Sequence, residues 1–163
     1  MKKMKMNGFT LIELLIVIAI IAIIAAVAFV ALDPLTRFRD ARDSSRWSDI
    51  SALISAIKVD QVDNRGSYLS AISALDTGTI YMIGAGSSAC NATCDTAPTS
   101  TSACVNLTGL VTEGYLASVP ISPNGTGSWD SDYTGYTLER STTGALTVRA
   151  CESENSSEIL LQR

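Results

Sequence analysis

The run from Phe9 to Leu32, about 24 residues broken by a single charge at Glu13, constrains this chain more than any other stretch. At about 1.5 Å rise per residue it forms a helix of roughly 36 Å, enough to cross a hydrocarbon core of about 30 Å. It is too apolar to face water. A chain of 163 residues can bury one modest core besides. The expectation is therefore one globular domain plus an anchor. Lys2, Lys3 and Lys5 precede the run, and the positive-inside bias places the N-terminus in the cytoplasm and the remainder outside. The cysteines, at positions 90, 94, 104 and 151, all follow the run, which suits a C-terminal part in an oxidising compartment.

Pro34 follows directly and predicts either a kink or a local loss of hydrogen bonding where the chain leaves the membrane. The helical signal then resumes in amphipathic form. Trp47, Ile50, Leu53, Ile54, Ile57 and Gln61-Val62 recur near i, i+3, i+4 and i+7, with Arg, Asp and Ser between them. A continuous or kinked helix from Phe9 to about Val62 would be roughly 80 Å long. It should end near Asp63-Asn64-Arg65-Gly66, where Asn and Gly supply a stop. Half of such a helix must carry a bare apolar surface that lipid or other copies of the chain cover.

Beyond Gly66 lie short apolar pieces, Tyr68 to Leu75 and Ile80 to Ile83, and then a Gly, Ser, Thr, Ala and Cys-rich stretch from Gly84 to Ala103 that reads as a surface loop. Leu107, Leu110 and Val111 suit a short helix or turn, and Pro120 and Pro123-Asn124-Gly125 interrupt the chain. The strongest strand signal is late. Tyr136 to Arg140 and Ala145 to Arg149 alternate across Ser141-Thr142-Thr143-Gly144, predicting a hairpin with Leu138, Leu146 and Val148 facing inward onto the amphipathic helix.

Composition narrows the chemistry. The chain has no histidine, so the commonest general base and the commonest zinc ligand are missing. Removing Lys2, Lys3 and Lys5 from 12 basic residues leaves 9 against 16 acidic, a net charge of -7 in place of -4, which argues against a phosphate-backbone partner and any direct nucleic-acid site. Gly84-Ala85-Gly86 lacks both a following helix signal and a lysine, so it is no phosphate loop. An enzyme is not expected, for want of a nucleophile-and-base set.

The segment Lys5-Met6-Asn7-Gly8-Phe9-Thr10-Leu11-Ile12-Glu13-Leu14-Leu15 closely resembles the processing and assembly signature of type IV pilins and of the related pseudopilins of type II secretion. The resemblance implies cleavage after Gly8 by a prepilin peptidase, methylation of the new N-terminal Phe9, and retention of the apolar segment. A conventional secretory signal is cut after its apolar region and lost. Here glycine comes before that region, where it offers a peptidase an unhindered backbone. Glu13 costs about 2.5 to 3.5 kcal/mol inside an apolar helix unless it finds a partner. The resemblance supplies one, the α-amino group of Phe9 on a neighbouring subunit, with the pair setting axial register. The bland alternative is that Glu13 reaches the cytoplasmic interface. Ala19, Ala22, Ala25 and Ala26 permit close helix packing.

Spacing leaves three pairings open for Cys90, Cys94, Cys104 and Cys151. Cys90 with Cys94 and Cys104 with Cys151 is preferred, because the second bridge would staple the long loop to the final strand. A four-thiolate zinc site lacks the paired Cys-x-x-Cys spacing. By resemblance to the major secretion pseudopilins, Pro120 to Pro123 followed by Asp130 and Asp132 is a candidate calcium loop, although Ser122 stands where an acidic residue is common in that group. No other cofactor is implied. Asn91-Ala-Thr93, Asn106-Leu-Thr108, Asn124-Gly-Thr126 and Asn155-Ser-Ser157 fit the glycosylation pattern and point to surface exposure.

The fold expected is α+β and pilin-like, a long N-terminal helix with a transmembrane first half packed on a small antiparallel sheet. Its parts are a leader (residues 1–8), an apolar helix (9–32), its amphipathic continuation (33–62) and a head (63–163). The function implied is that of a type IV pilus subunit serving adhesion, twitching motility or DNA uptake. A pseudopilin, or a signal-anchored ectodomain that binds a ligand, are the alternatives. The partners implied are other copies of the chain, a prepilin peptidase, an assembly ATPase, a polytopic platform protein and the bacterial inner membrane. After assembly the chain would lie in an extracellular pilus or a periplasmic pseudopilus.

Overall fold

The computed structural model describes residues 8–87, 90, 94–100 and 104–163. The leader ahead of Gly8 and the Asn91-Ala-Thr93 pattern lie outside the described residues. The chain divides into two compact units, Met1–Phe38 and Arg39–Arg163.

In the first unit, Phe9 and Thr10 are not yet helical, and α1 runs from Leu11 to Leu32. Every residue of α1 is exposed. Its length and composition suffice to cross a membrane, and no helix among the described residues outside the span Leu11–Asp63 meets that test. Asp33 then takes a left-handed conformation, φ 35° and ψ 71°. A residue before proline is pushed out of the helical region, and Pro34 becomes the first residue of α2 (Pro34–Asp63), where a missing N–H is no loss. The Asp33 carboxylate accepts a hydrogen bond from Thr36 Oγ1 at 2.6 Å, and its carbonyl accepts the first α2 bond from the Arg37 N–H at 3.3 Å. Pro34 therefore marks an interruption of one residue between two helices, rather than a kink inside one.

In the second unit, α2 presents Ile50, Leu53, Ile54 and Ile57 to the core, all fully buried. Two expected members of that stripe differ. Trp47 is 42% and Val62 76% exposed, and Val62 lies about 120° around the helix from Ile50. Their places on the inward face are taken by charged residues, since Asp43, Arg46 and Asp60 are buried. The helix stops in a Schellman arrangement. Arg65, at φ 56°, donates to the Val62 carbonyl at 3.2 Å, and Gly66 donates to the Gln61 carbonyl at 2.7 Å.

Four antiparallel strands form one sheet in chain order: β1 (Ile80–Met82), β2 (Tyr136–Arg140), β3 (Leu146–Ala150) and β4 (Leu160–Gln162). The expected hairpin is β2 and β3, with Leu138 opposite Val148 and Gly144 at φ 85° in the turn. Leu138, Leu146 and Val148 are fully buried in the core with the α2 stripe. Short helices α3 (Ser70–Ser73) and α4 (Thr108–Thr112) add Ile72 and Leu110 to the same core. Strand alternation turns Met82 the other way, into a second cluster with Cys90 and Cys151, against which Trp129 and Tyr133 pack.

The cysteines depart from the preferred pairing. Cys90 is bonded to Cys104, and Cys94 to Cys151. The chain past β1 brings Cys104 back beside it, with the Cys104 N–H donating to the Gly86 carbonyl at 3.2 Å and the Val105 N–H to that of Met82 at 2.8 Å. Cys94 is placed against Cys151 by its neighbour, since the Asp95 N–H donates to the Cys151 carbonyl at 2.7 Å. The loop is still stapled to the end of β3, but by Cys94 instead of Cys104.

Candidate functional site

At the N-terminal end, the residues singled out in the sequence sit together on the threshold of α1. Gly8 is exposed, and a Cβ built on it would meet nothing within 4 Å. Nothing among the described residues therefore requires glycine there. Phe9 is 80% exposed. Thr10, extended at φ -84° and ψ 152°, caps α1, and Glu13 at the third helical position completes a reciprocal capping box. Thr10 N and Oγ1 both donate to Glu13 Oε2, at 2.8 and 2.7 Å, and the Glu13 N–H donates to Thr10 Oγ1 at 3.3 Å. Glu13 thus has a local role in starting the helix as well as whatever it does with a partner. Its signature was present in Thr10-Leu11-Ile12-Glu13, a Thr followed three residues later by Glu at the head of an apolar run, and sequence reasoning missed it. Cleavage after Gly8 would leave this box intact.

The proposed calcium residues, Asp130 and Asp132, are both exposed. Asp130 Oδ1 accepts from the N–H groups of Asp132 and Tyr133 at 2.8 and 2.9 Å, which closes a tight turn. Among the described residues, no group of three or more His, Cys, Asp or Glu side chains is arranged to hold a metal ion. Asn106, Asn124 and Asn155 are exposed. Gly84, dismissed as part of a phosphate loop, has a packing role, because a Cβ there would lie 2.0 Å from the Asp132 carbonyl oxygen.

The head also contains an ionic cluster that no local pattern of residues announces. Arg46 is fully buried, and its five N–H groups all find oxygen. Nη1 donates to Asp43 Oδ1 at 2.8 Å and Glu154 Oε1 at 3.0 Å; Nη2 donates to Glu152 Oε1 at 2.9 Å and the Pro123 carbonyl at 3.0 Å; Nε donates to Ser122 Oγ at 3.1 Å. Arg42, one turn earlier, grips both oxygens of Glu154. Backbone amides share the remaining negative charge. Asp43 accepts from Glu154, Asn155 and Ser156, and Glu152 from Thr126, Gly127 and the Trp129 indole. Burial pushes the Asp43 and Glu152 carboxyls up, but these donors outweigh it and hold both below the ordinary carboxylate range. Glu154 is lowered chiefly by its Arg42 hydrogen bond.

A cavity of about 440 Å³ lies between α4 and the segments 84–85 and 117–121, lined by Leu107, Val111, Val119 and Ile121 with Thr and Ser hydroxyls and no ionisable side chain. It holds no acid or base for catalysis.

Residues 3–29 match the family model of the prokaryotic N-terminal methylation motif, which takes in Gly8, Phe9, Glu13 and most of α1. That match is consistent with the type IV pilin and pseudopilin family and points to a structural, prepilin-type protein. No curated protein and no solved structure matches the chain.

Proposed function

We propose that this chain is a prepilin that is cut after Gly8, methylated on Phe9 and polymerised through α1 as the structural subunit of a type IV pilus. The observation that carries the reading is the coincidence of the methylation motif with a helix whose every residue is exposed and which is apolar but for Glu13. Burying each large aliphatic or aromatic side chain is worth about 1.5–3 kcal/mol, so α1 must be covered, first by lipid and then by copies of itself. The N-terminus stays in the cytoplasm, and the head, with its two disulfides, lies outside. Because a side chain at Gly8 would meet none of the described residues, its side-chain-free backbone serves the peptidase. Both Thr10 hydrogen bonds converge on Glu13 Oε2, which leaves Oε1 for the α-amino group of a neighbour's Phe9. That pair would set the register of each added subunit. The assembly ATPase and platform protein supply the work, and the subunit itself performs no reaction.

The test is to express the full chain with a cognate prepilin peptidase and read the mature N-terminus by intact mass and fragmentation, beside Gly8→Val. A product starting at N-methylated Phe9 in wild type alone supports the reading. An uncut chain, where a control prepilin is processed, would sink it. Filaments sheared from the cell surface and containing this subunit mark a pilus; processed subunit retained in the periplasm marks a secretion pseudopilin.

A further inference from the structure

We infer that the Arg46 guanidinium is the resident cation of the head: it fills a buried, five-oxygen site built from α2, the 122–127 loop and the 152–154 segment, and so makes the docking of those loops independent of dissolved metal ions. The oxygens of Asp43, Glu152 and Glu154, the Pro123 carbonyl and the Ser122 hydroxyl stand around the edge of the guanidinium and reach it from three segments of the head. Among the described residues no carboxylates are grouped to hold a metal ion, so the charge that balances these is the guanidinium itself. Without Arg46, Asp43 and Glu152 would lose their cationic partner and Glu154 would keep only Arg42, so the partly buried carboxylates would repel one another and release the loops. The guanidinium suits the place because its planar fork reaches five acceptors at once, which an ammonium with three protons cannot.

Two features show that the surroundings are shaped to this group. Gly125 lies over it, and a Cβ there would stand 2.9 Å from Glu154 Oε1 and 3.1 Å from both Arg46 Nη2 and Glu152 Oε2. Asp43 and Glu152 each spend a second set of lone pairs on backbone amides of the very loops they hold, so the cation and the loops are bound together. The head keeps, in this way, a cation that cannot be chelated or diluted away. The inference concerns the head alone and stands whether or not the filament reading does.

The experiment uses the full chain in detergent micelles, with Trp47→Phe so that Trp129, which donates to Glu152 Oε1 at 2.8 Å, is the one remaining tryptophan and its emission reports loop docking. With Arg46 intact, the melting temperature and Trp129 emission should be the same in EDTA and in calcium chloride. Arg46→Ala should lower the melting temperature by roughly 10 °C and shift the emission to the red. Methylguanidinium chloride should reverse both in Arg46→Ala and neither in its parent, beyond what equal sodium chloride does; a folded Arg46→Ala that it does not rescue would count against the inference. Should Arg46→Ala fail to fold, Arg46→Lys is expected to melt below the parent and to remain insensitive to EDTA. The inference is overturned if EDTA destabilises the parent, if methylguanidinium acts on parent and Arg46→Ala alike, or if Arg46→Lys melts with the parent.

Discussion

Arg46 and Asp49 stand three residues apart on α2 and meet opposite electrostatic fates. Arg46 gathers acceptors from three segments of the head, whereas Asp49 takes a hydrogen bond from the Tyr136 hydroxyl at 2.5 Å in a part-buried place. Burial pushes the Asp49 carboxyl above its ordinary range, and the Tyr136 bond only tempers this. The Tyr136 phenol is itself driven up by burial and by the neighbouring carboxylate. A carboxyl raised on folding contributes stability in its protonated form, present below its unfolded pKa of about 4 and lost as pH rises through the folded value. Asp49 is therefore a cost at neutral pH. Asp49→Asn keeps an acceptor for Tyr136 without the charge, and should raise the melting temperature by a few degrees near neutral pH. The gain over wild type should shrink as the pH falls toward about 4, as followed by circular dichroism. An unchanged gap across that range would show that burial does not penalise this carboxylate.

On the scale of elements, α2 is held to the rest of the head by two different seams. One is the apolar stripe of Ile50, Leu53, Ile54 and Ile57 against the sheet. The other is ionic, joining Asp43 and Arg46 to the chain that follows β3. Asp43, Glu152 and Glu154 all have lowered carboxyls, so their contribution is present above the unfolded carboxylate values and drains as pH falls through the lower, folded ones. The expectation is local release. Hydrogen exchange at the amides of Glu154, Asn155 and Ser156, which Asp43 holds, should accelerate below about pH 4 while the amides of β2 and β3 stay protected. Simultaneous loss of both sets would mean that the ionic seam and the apolar one are a single cooperative unit.

The whole molecule has two compact units of very different character. The unit Arg39–Arg163 carries the sheet, both disulfides and both buried clusters. A fragment spanning residues 39–163, made where disulfides form, should be monomeric and soluble without detergent, with no free thiol. The full chain should require detergent or self-associate, because α1 exposes its entire apolar surface. Size-exclusion chromatography with light scattering, together with thiol titration, decides this. A fragment that aggregates, or that titrates free thiols, would mean the head depends on the first unit.

What the sequence determined by itself was whatever rests on local composition and period. The apolar run with its methylation motif, the break at Pro34, the α2 stripe and the β2–β3 hairpin could all be read from residues near one another in the chain. Strands β1 and β4, three residues each, were too short to show an alternation, and only pairing with β2 and β3 makes them strands. The disulfide partners were equally open, because the path of the loop, not the spacing of the cysteines, brings Cys104 to Cys90 and Cys94 to Cys151. Arg46 is the sharpest case. A lone arginine in an amphipathic helix reads as a solvated charge, and its place in the interior depends on Glu152 and Glu154, 106 and 108 residues further on. Only the folded chain brings those carboxylates close enough to offset the cost of burying a guanidinium.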